Sequence, residues 1–233
     1  MAEEALQEIL GAFGIDSSEE LGVHREVPAS KITIYSNFQD NHAQMAFPNG
    51  FILIGLDSPH YTGWSIYDTP QFPEWYRRIV KHETMHVLQW LLGLDWERTW
   101  PWSQRVGRTW PEFWFSEGIS EYISGGTSEP IMTLAQLDAW RESSVHVNPI
   151  GVRLSEDAPV PDSRIGDYYP MFGLAVRYLL DDAGLGRTLE DVKGLYLDMR
   201  TTVSFRESFE SFMGVSVEEY EADFFELMEE YLR

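Results

Sequence analysis

The feature that most constrains this chain is a pair of histidines one helical turn apart. His82 and His86 lie in a segment, Glu74 to Leu92, where apolar residues recur every three or four positions, and this spacing predicts an amphipathic helix. Residues at i and i+4 share one face of a helix, so both imidazoles can converge on one metal ion. The pattern therefore predicts a metal site on this helix. The alternative is a helix with one buried and one solvated histidine.

Glu83 directly follows the first histidine of the pair. In a His-Glu-x-x-His helix, the carboxylate at this position is directed at the water on the metal rather than at the metal itself. Zinc lowers the pKa of such a water to about 7, so Glu83 is the candidate general base. The chain has no cysteine, so a zinc ion would be bound by histidines and carboxylates.

A catalytic zinc site also needs a third protein ligand and an open position. A predicted helix downstream, residues 113–123, carries Glu117 and Glu121 at i and i+4, again on one face. One carboxylate can bind zinc, and the other can accept the N–H of a ligand histidine and fix its tautomer. The alternative is an ordinary acidic helix face. A metzincin would have Gly at position 89 and His at position 92, and the chain has Gln89 and Leu92.

Together, the two segments resemble the gluzincin, or peptidase MA-like, superfamily of zinc metallopeptidases. His-Glu-x-x-His at residues 82–86 is followed by Trp-x-x-Glu-Gly-x-x-Glu-Tyr at residues 114–122. The resemblance implies that His82, His86 and Glu117 bind one zinc ion per chain and that Glu121 lies behind His82. It also implies a hydrolase, a protease whose substrate is a peptide or protein, in which Glu83 activates the zinc-bound water. The competing hypothesis is a catalytically silent peptidase-like binding or scaffold domain, with or without the zinc.

The fold that the resemblance implies is an α+β, zincin-like (thermolysin-like) fold. It would combine a small, mostly antiparallel sheet with two zinc helices and a helical C-terminal lobe. Residues 31–35 and 51–54 are predicted strands, because they are β-branched or apolar and lie beside turn residues. Residues 46–49 are our candidate for the end of a sheet edge that binds extended peptide.

A weaker resemblance covers residues 168–180, which look like the helix after the active site in bacterial peptidase MA-like domains. A tyrosine at the start of that helix faces the zinc, where its O–H can stabilise the oxyanion of the reaction. Tyr169 has the best spacing for this role and Tyr168 is the reserve. The alternative is a pair of tyrosines that only pack. His146 lies in the predicted loop that precedes this helix, and it is interpreted as a solvated loop histidine.

The pattern along the chain predicts one compact catalytic unit in three parts. Residues 1–27 form an N-terminal helix and linker, residues 28–142 the catalytic lobe, and residues 143–233 an active-site loop followed by helices. The remaining predicted helices are residues 3–13, 133–140, 171–181, 189–200, 205–213 and 217–232. Ser216 and Glu219 are predicted to form a capping box at the start of the last helix.

The charge balance excludes some partners. The chain carries 17 Lys and Arg against 38 Asp and Glu, a net charge of −21. Nucleic acids and anionic membranes bind clustered Lys and Arg, so we expect neither as a partner. No apolar stretch reaches the length of a membrane span. The acidic first ten residues lack the features of a signal peptide, which predicts a cytoplasmic protein or an extracytoplasmic one whose leader or anchor was removed.

Overall fold

The computed structural model describes residues 2–15, 33–37, 45–46, 51–55, 72–92, 112–125, 169–181, 184–202 and 204–231. The chain divides into two compact units, Met1–Gly93 and Leu94–Arg233. The domain boundaries predicted at residues 27 and 142 stay predictions. Within the described residues, none of the helices combines the length and the apolar character needed to cross a membrane.

The first unit holds two helices that pack on each other, α1 (Ala2–Ala12) and α2 (Phe72–Leu91). Helix α1 buries Leu6, Ile9 and Phe13, the apolar stripe that its sequence predicts. Gly14 ends the helix with a φ of 61°, a left-handed conformation that glycine adopts without a Cβ penalty. An ion pair between Glu8 and Lys81 also joins the two helices.

Three short strands form a sheet in the same unit, in the order β1-β3-β2. They are β1 (Thr33–Asn37), β2 (Met45–Ala46) and β3 (Phe51–Gly55). β1 runs parallel to β3 over five residue pairs, from Thr33 with Phe51 to Asn37 with Gly55. β2 pairs antiparallel with β3 over only two residue pairs. Both β2 and β3 contact helix α2.

These findings correct the expected fold class. Seven helices hold most of the described residues, and the longer of the two strand pairings is parallel. The prediction of an α+β zincin-like fold with a mostly antiparallel sheet is therefore wrong. The physical reason is that β2 lies beside β3 as its antiparallel neighbour, so β1 is not the hairpin partner of β3 and pairs with its other edge in parallel. A two-residue strand is too short to show a period-two pattern in the sequence.

All the regular secondary structure described in the second unit is helical. Its helices are α3 (Phe113–Gly125), α4 (Tyr169–Leu180), α5 (Leu189–Thr202), α6 (Phe205–Met213) and α7 (Val217–Tyr231). Trp114 of α3 is fully buried and stacks on Tyr220 of α7, with ring centroids 5.7 Å apart. Phe205 and Phe209 of α6 pack edge-on against the same tryptophan. Helices α3, α6 and α7 thus share one aromatic core, and α4 joins it through its Ala175 carbonyl, which accepts a hydrogen bond from the Tyr220 hydroxyl.

Capping residues mark where these helices begin. The predicted capping box is confirmed: Ser216 N–H donates to Glu219 at 2.9 Å, and Glu219 N–H donates to Ser216 Oγ at 3.2 Å. Thr188 and Asp191 make an equivalent box before α5, and Ser204 caps α6. Tyr169 and Pro170 belong to α4 rather than to the predicted loop, because proline is well tolerated in the first turn of a helix. The predicted helix at residues 133–140 lies outside the described residues.

Candidate metal centre

Helix α2 presents the two predicted histidine ligands on one face. His82 Nε2 and His86 Nε2 are 3.3 Å apart, and their ring planes are inclined at 76°. Two nitrogens that each lie about 2.0–2.1 Å from a tetrahedral Zn²⁺ are about 3.3–3.4 Å apart. The side chains are therefore already spaced as two ligands of one zinc ion. The helix is held in place by fully buried Val80, Met85 and Leu88 on its other faces.

The second nitrogen of His86 has a partner of its own. His86 Nδ1 lies 2.9 Å from the Oε1 atom of Gln89, one helical turn further along α2. Gln89 is fully buried, so its amide is held among protein atoms. A carbonyl oxygen at this distance accepts the Nδ1–H of a neutral imidazole.

Glu83, the candidate general base, is a buried carboxylate, with only 4% of its surface exposed. Its neighbour Thr84 is fully buried and donates its hydroxyl to the Val80 carbonyl at 2.6 Å, which satisfies a polar group that would otherwise be costly to bury. A carboxylate in such an environment is shielded from bulk water, and this strengthens its interaction with any nearby charge.

Helix α3 carries Glu117 and is anchored at its first turn. Trp114 Nε1 donates to Glu112 Oε2 at 3.0 Å, and Arg206 of α6 donates to Glu112 Oε1 at 2.8 Å. Arg206 also pairs with Glu218 of α7. This chain of charged groups fixes the start of α3 against two other helices. Because the motif tryptophan is part of it, Trp114 has a structural role in the second unit.

The glycine after Glu117 allows close packing between α3 and α4. A Cβ at Gly118 would lie 2.5 Å from the Phe172 carbonyl oxygen and 2.7 Å from Val176 Cγ2. Real Cβ atoms do not come this close, so the two helices can approach only with glycine at this position. The Glu-Gly pair in the motif thus combines a candidate ligand with the contact that positions its backbone.

Among the described residues, His82, His86 and Glu117 form one group that could hold a metal ion. One candidate ligand atom from each lies within 4.8 Å of the others. Two imidazoles and one carboxylate are a donor set of catalytic zinc sites. The nitrogen spacing and the donor chemistry both fit zinc.

The structure describes fewer contacts for the other predicted site residues. Glu121 is buried, with 9% exposed, and its backbone carbonyl accepts a hydrogen bond from Ser124 Oγ at 3.2 Å; its expected place behind His82 stays a prediction. The backbone of Tyr169 opens α4, while Tyr168 and His146 lie outside the described residues. Their roles are not tested.

Tyr122 completes the motif on α3. Burial raises the pKa of its hydroxyl, the charge of Asp181 raises it further, and Arg177 opposes the change. Tyr122 therefore stays protonated at neutral pH. Its hydroxyl remains a potential hydrogen-bond donor.

Sequence reasoning missed the contact between Gln89 and His86. The residue served there only to exclude the metzincin class. The available signal was its position three residues after His86, because i and i+3 are neighbours on a helix surface. An amide at that position can reach the outer nitrogen of the second histidine.

No protein-family model, no curated protein and no solved structure matches the chain.

Proposed function

We propose that this protein is a zinc-dependent peptidase that hydrolyses peptide bonds. The observation that carries the proposal is the 3.3 Å spacing of His82 Nε2 and His86 Nε2, in one group with Glu117. The proposal rests on this site and on the resemblance of its motifs to gluzincins, and it does not rest on the fold class.

The number of candidate ligands favours catalysis over a structural role for the metal. Structural zinc sites are closed by four protein ligands, whereas catalytic sites use three and leave one position for water or substrate. Among the residues that the structure describes, the group has three members. With His82, His86 and Glu117 as ligands, one coordination position stays open for the reaction.

Glu83 is the residue that would move protons. When bound, zinc acts as a Lewis acid on the peptide carbonyl and makes water acidic enough to lose a proton near neutral pH. Glu83 takes that proton and delivers it to the leaving nitrogen, as a general base and then a general acid. Its burial, at 4% exposed, keeps competing solvent away from the carboxylate.

Two further residues have proposed supporting roles. Glu121 would accept the outer N–H of His82 and so hold that ring in its ligand tautomer. Tyr169 would donate its O–H to the oxyanion that forms when water adds to the carbonyl, and Tyr168 is the reserve for this role. Both proposals come from the motif resemblance.

The experiment that tests the proposal is the substitution Glu83→Gln, which keeps the size of the side chain but removes its ability to accept a proton. We expect hydrolysis of an unbiased peptide library to fall by about 10²–10⁴-fold, while zinc content stays at the parent level. The matched control is Glu74→Gln, an exposed glutamate in the first turn of the same helix. It should cleave like the parent.

Two outcomes would contradict the proposal. If the Glu83→Gln variant cleaves as fast as the parent, Glu83 is not the base. If the zinc-loaded parent leaves the whole library intact, the protein is the catalytically silent binding domain instead.

A further inference from the structure

The strongest unused feature of the site is the contact between His86 and Gln89. A neutral histidine carries its proton on either Nδ1 or Nε2, and only the nitrogen without a proton can bind a metal. The hydrogen bond made by the outer nitrogen decides which form is present. For His86, that partner is Gln89, at 2.9 Å from Nδ1.

The orientation of the Gln89 amide determines which ring nitrogen of His86 carries the proton, and therefore whether Nε2 can bind a metal. With Oε1 towards the ring, Nδ1 keeps its proton, and the lone pair of Nε2 faces the Nε2 atom of His82, 3.3 Å away. With the NH₂ group towards the ring, Nδ1 would accept, and Nε2 would carry the proton and lose its ability to bind a metal. Because the two ends of an amide have nearly the same shape, the hydrogen-bond network has to choose between them.

Burial stabilises one orientation of the Gln89 amide. Gln89 is fully buried, so water does not compete for its amide. Its position one turn after His86 on the same helix fixes the distance between the two side chains. A neutral amide also adds no second negative charge beside the candidate ligands, unlike the carboxylates that commonly serve as such partners.

We propose that Gln89 is a positioning residue, whose side-chain oxygen holds His86 in the Nδ1–H tautomer and so keeps Nε2 free to bind the metal. This inference rests on the proposed zinc site and assigns a residue outside its ligand set. Gln89 itself does not touch the metal or the substrate.

The test compares two substitutions at position 89. Gln89→Glu keeps the shape and offers an oxygen in both orientations, whereas Gln89→Leu keeps the bulk and offers no acceptor. Zinc affinity is measured on the full chain by competition with a chromophoric chelator. We expect Gln89→Leu to bind zinc about 10–100-fold more weakly than the parent, the usual loss for a partner of a ligand histidine. Gln89→Glu should bind at least as tightly as the parent.

A second readout works without metal. Nitrogen-15 NMR of the histidine rings, at alkaline pH in the metal-free protein, distinguishes the two tautomers directly. We expect His86 to be in the Nδ1–H form in the parent and in Gln89→Glu, and to become a mixture in Gln89→Leu. The absorption spectrum of the cobalt-loaded protein reports the ligand geometry, and it should change only in Gln89→Leu.

The outcomes separate this inference from the proposed function. Parent-like zinc affinity and tautomer in Gln89→Leu would overturn the inference while leaving the zinc site intact. A loss in Gln89→Glu as large as in Gln89→Leu would also overturn it, because it would mean that the amide donates to His86. If the parent binds no zinc, the proposed function fails, and the ring tautomer still decides the role of Gln89. Should Gln89→Leu not fold, Gln89→Met replaces it as the variant without an acceptor.

Discussion

Tyr220 is a single residue that makes the stability of the second unit depend on pH. The residue is fully buried, and its hydroxyl donates to the Ala175 carbonyl of α4. Burial raises the pKa of Tyr220 well above its usual value, and the neighbouring Tyr178 raises it further. In the folded protein this hydroxyl therefore stays neutral at pH values at which a solvent-exposed tyrosine is ionised.

This shift predicts a loss of stability in alkali. Because the folded pKa is raised, the stabilisation is complete below the unfolded pKa of about 10 and is lost as pH rises towards the folded pKa. Above about pH 10, only the unfolded state releases the proton, so the free energy of unfolding should fall by about 1.4 kcal/mol per pH unit from this residue. Tyr220→Phe should remove that component of the slope in urea unfolding measured on either side of this pH.

The comparison variant is Tyr178→Phe, which also removes the smaller contribution of Tyr178 to the raised pKa of Tyr220. Burial also raises the pKa of Tyr178, but that side chain is only partly buried, so its removal should change the slope less. An unchanged slope in Tyr220→Phe would mean that Tyr220 can ionise in the folded protein.

At the scale of elements, the contact between α3 and α4 leaves the least room for a larger side chain. The two helices meet at Gly118, where a Cβ would press on the Phe172 backbone and the Val176 side chain. Backbone atoms cannot yield by changing a rotamer, so any larger residue must separate the helices. The residue before it is Glu117, the candidate third ligand.

We therefore expect Gly118→Ala to destabilise the protein by about 1–3 kcal/mol, the usual cost of overpacking. Gly11→Ala is the matched control, because a Cβ on Gly11 of α1 would meet nothing within 4 Å. That variant should gain up to about 1 kcal/mol from the better helix propensity of alanine. Denaturant unfolding monitored by circular dichroism measures both. Equal stability of the two variants would show that α3 and α4 are packed less tightly than the structure has them.

The helices α6 and α7 and the strands β1 and β3 could be predicted from the sequence, and the direction in which the strands pair could not. Residues 205–213 were predicted and are observed as α6, and α7 (Val217–Tyr231) lies within its predicted range of residues 217–232. Both helices begin at side chains that bond their own backbone, such as Ser204 and Ser216, and such local signals can be read from sequence. Strand direction depends on contacts between strands, and a single strand's own sequence does not show whether its partner is parallel, as β1 is to β3, or antiparallel, as β2 is.

At the scale of the whole molecule, the fold class was predicted wrongly, and the site residues stay predictions. His82 and His86 were predicted from their i, i+4 spacing, and the structure places their Nε2 atoms 3.3 Å apart. Glu117 was assigned through the motif resemblance and lies in the same group. The contact of Gln89 with His86 was missed, because glutamine at a buried helix position has no motif of its own. The prediction of a mostly antiparallel sheet was wrong because strand pairing depends on residues that are far apart in the sequence.

The central claim is that His82, His86 and Glu117 together bind one zinc ion. Elemental analysis of protein purified without chelators tests it most directly, on the parent, on Glu117→Ala and on Glu210→Ala, an exposed glutamate of α6. We predict about one zinc per chain in the parent and in Glu210→Ala, and a sharp loss in Glu117→Ala. A parent that holds no zinc even after zinc is added back, or a Glu117→Ala variant that retains all of it, would contradict the claim.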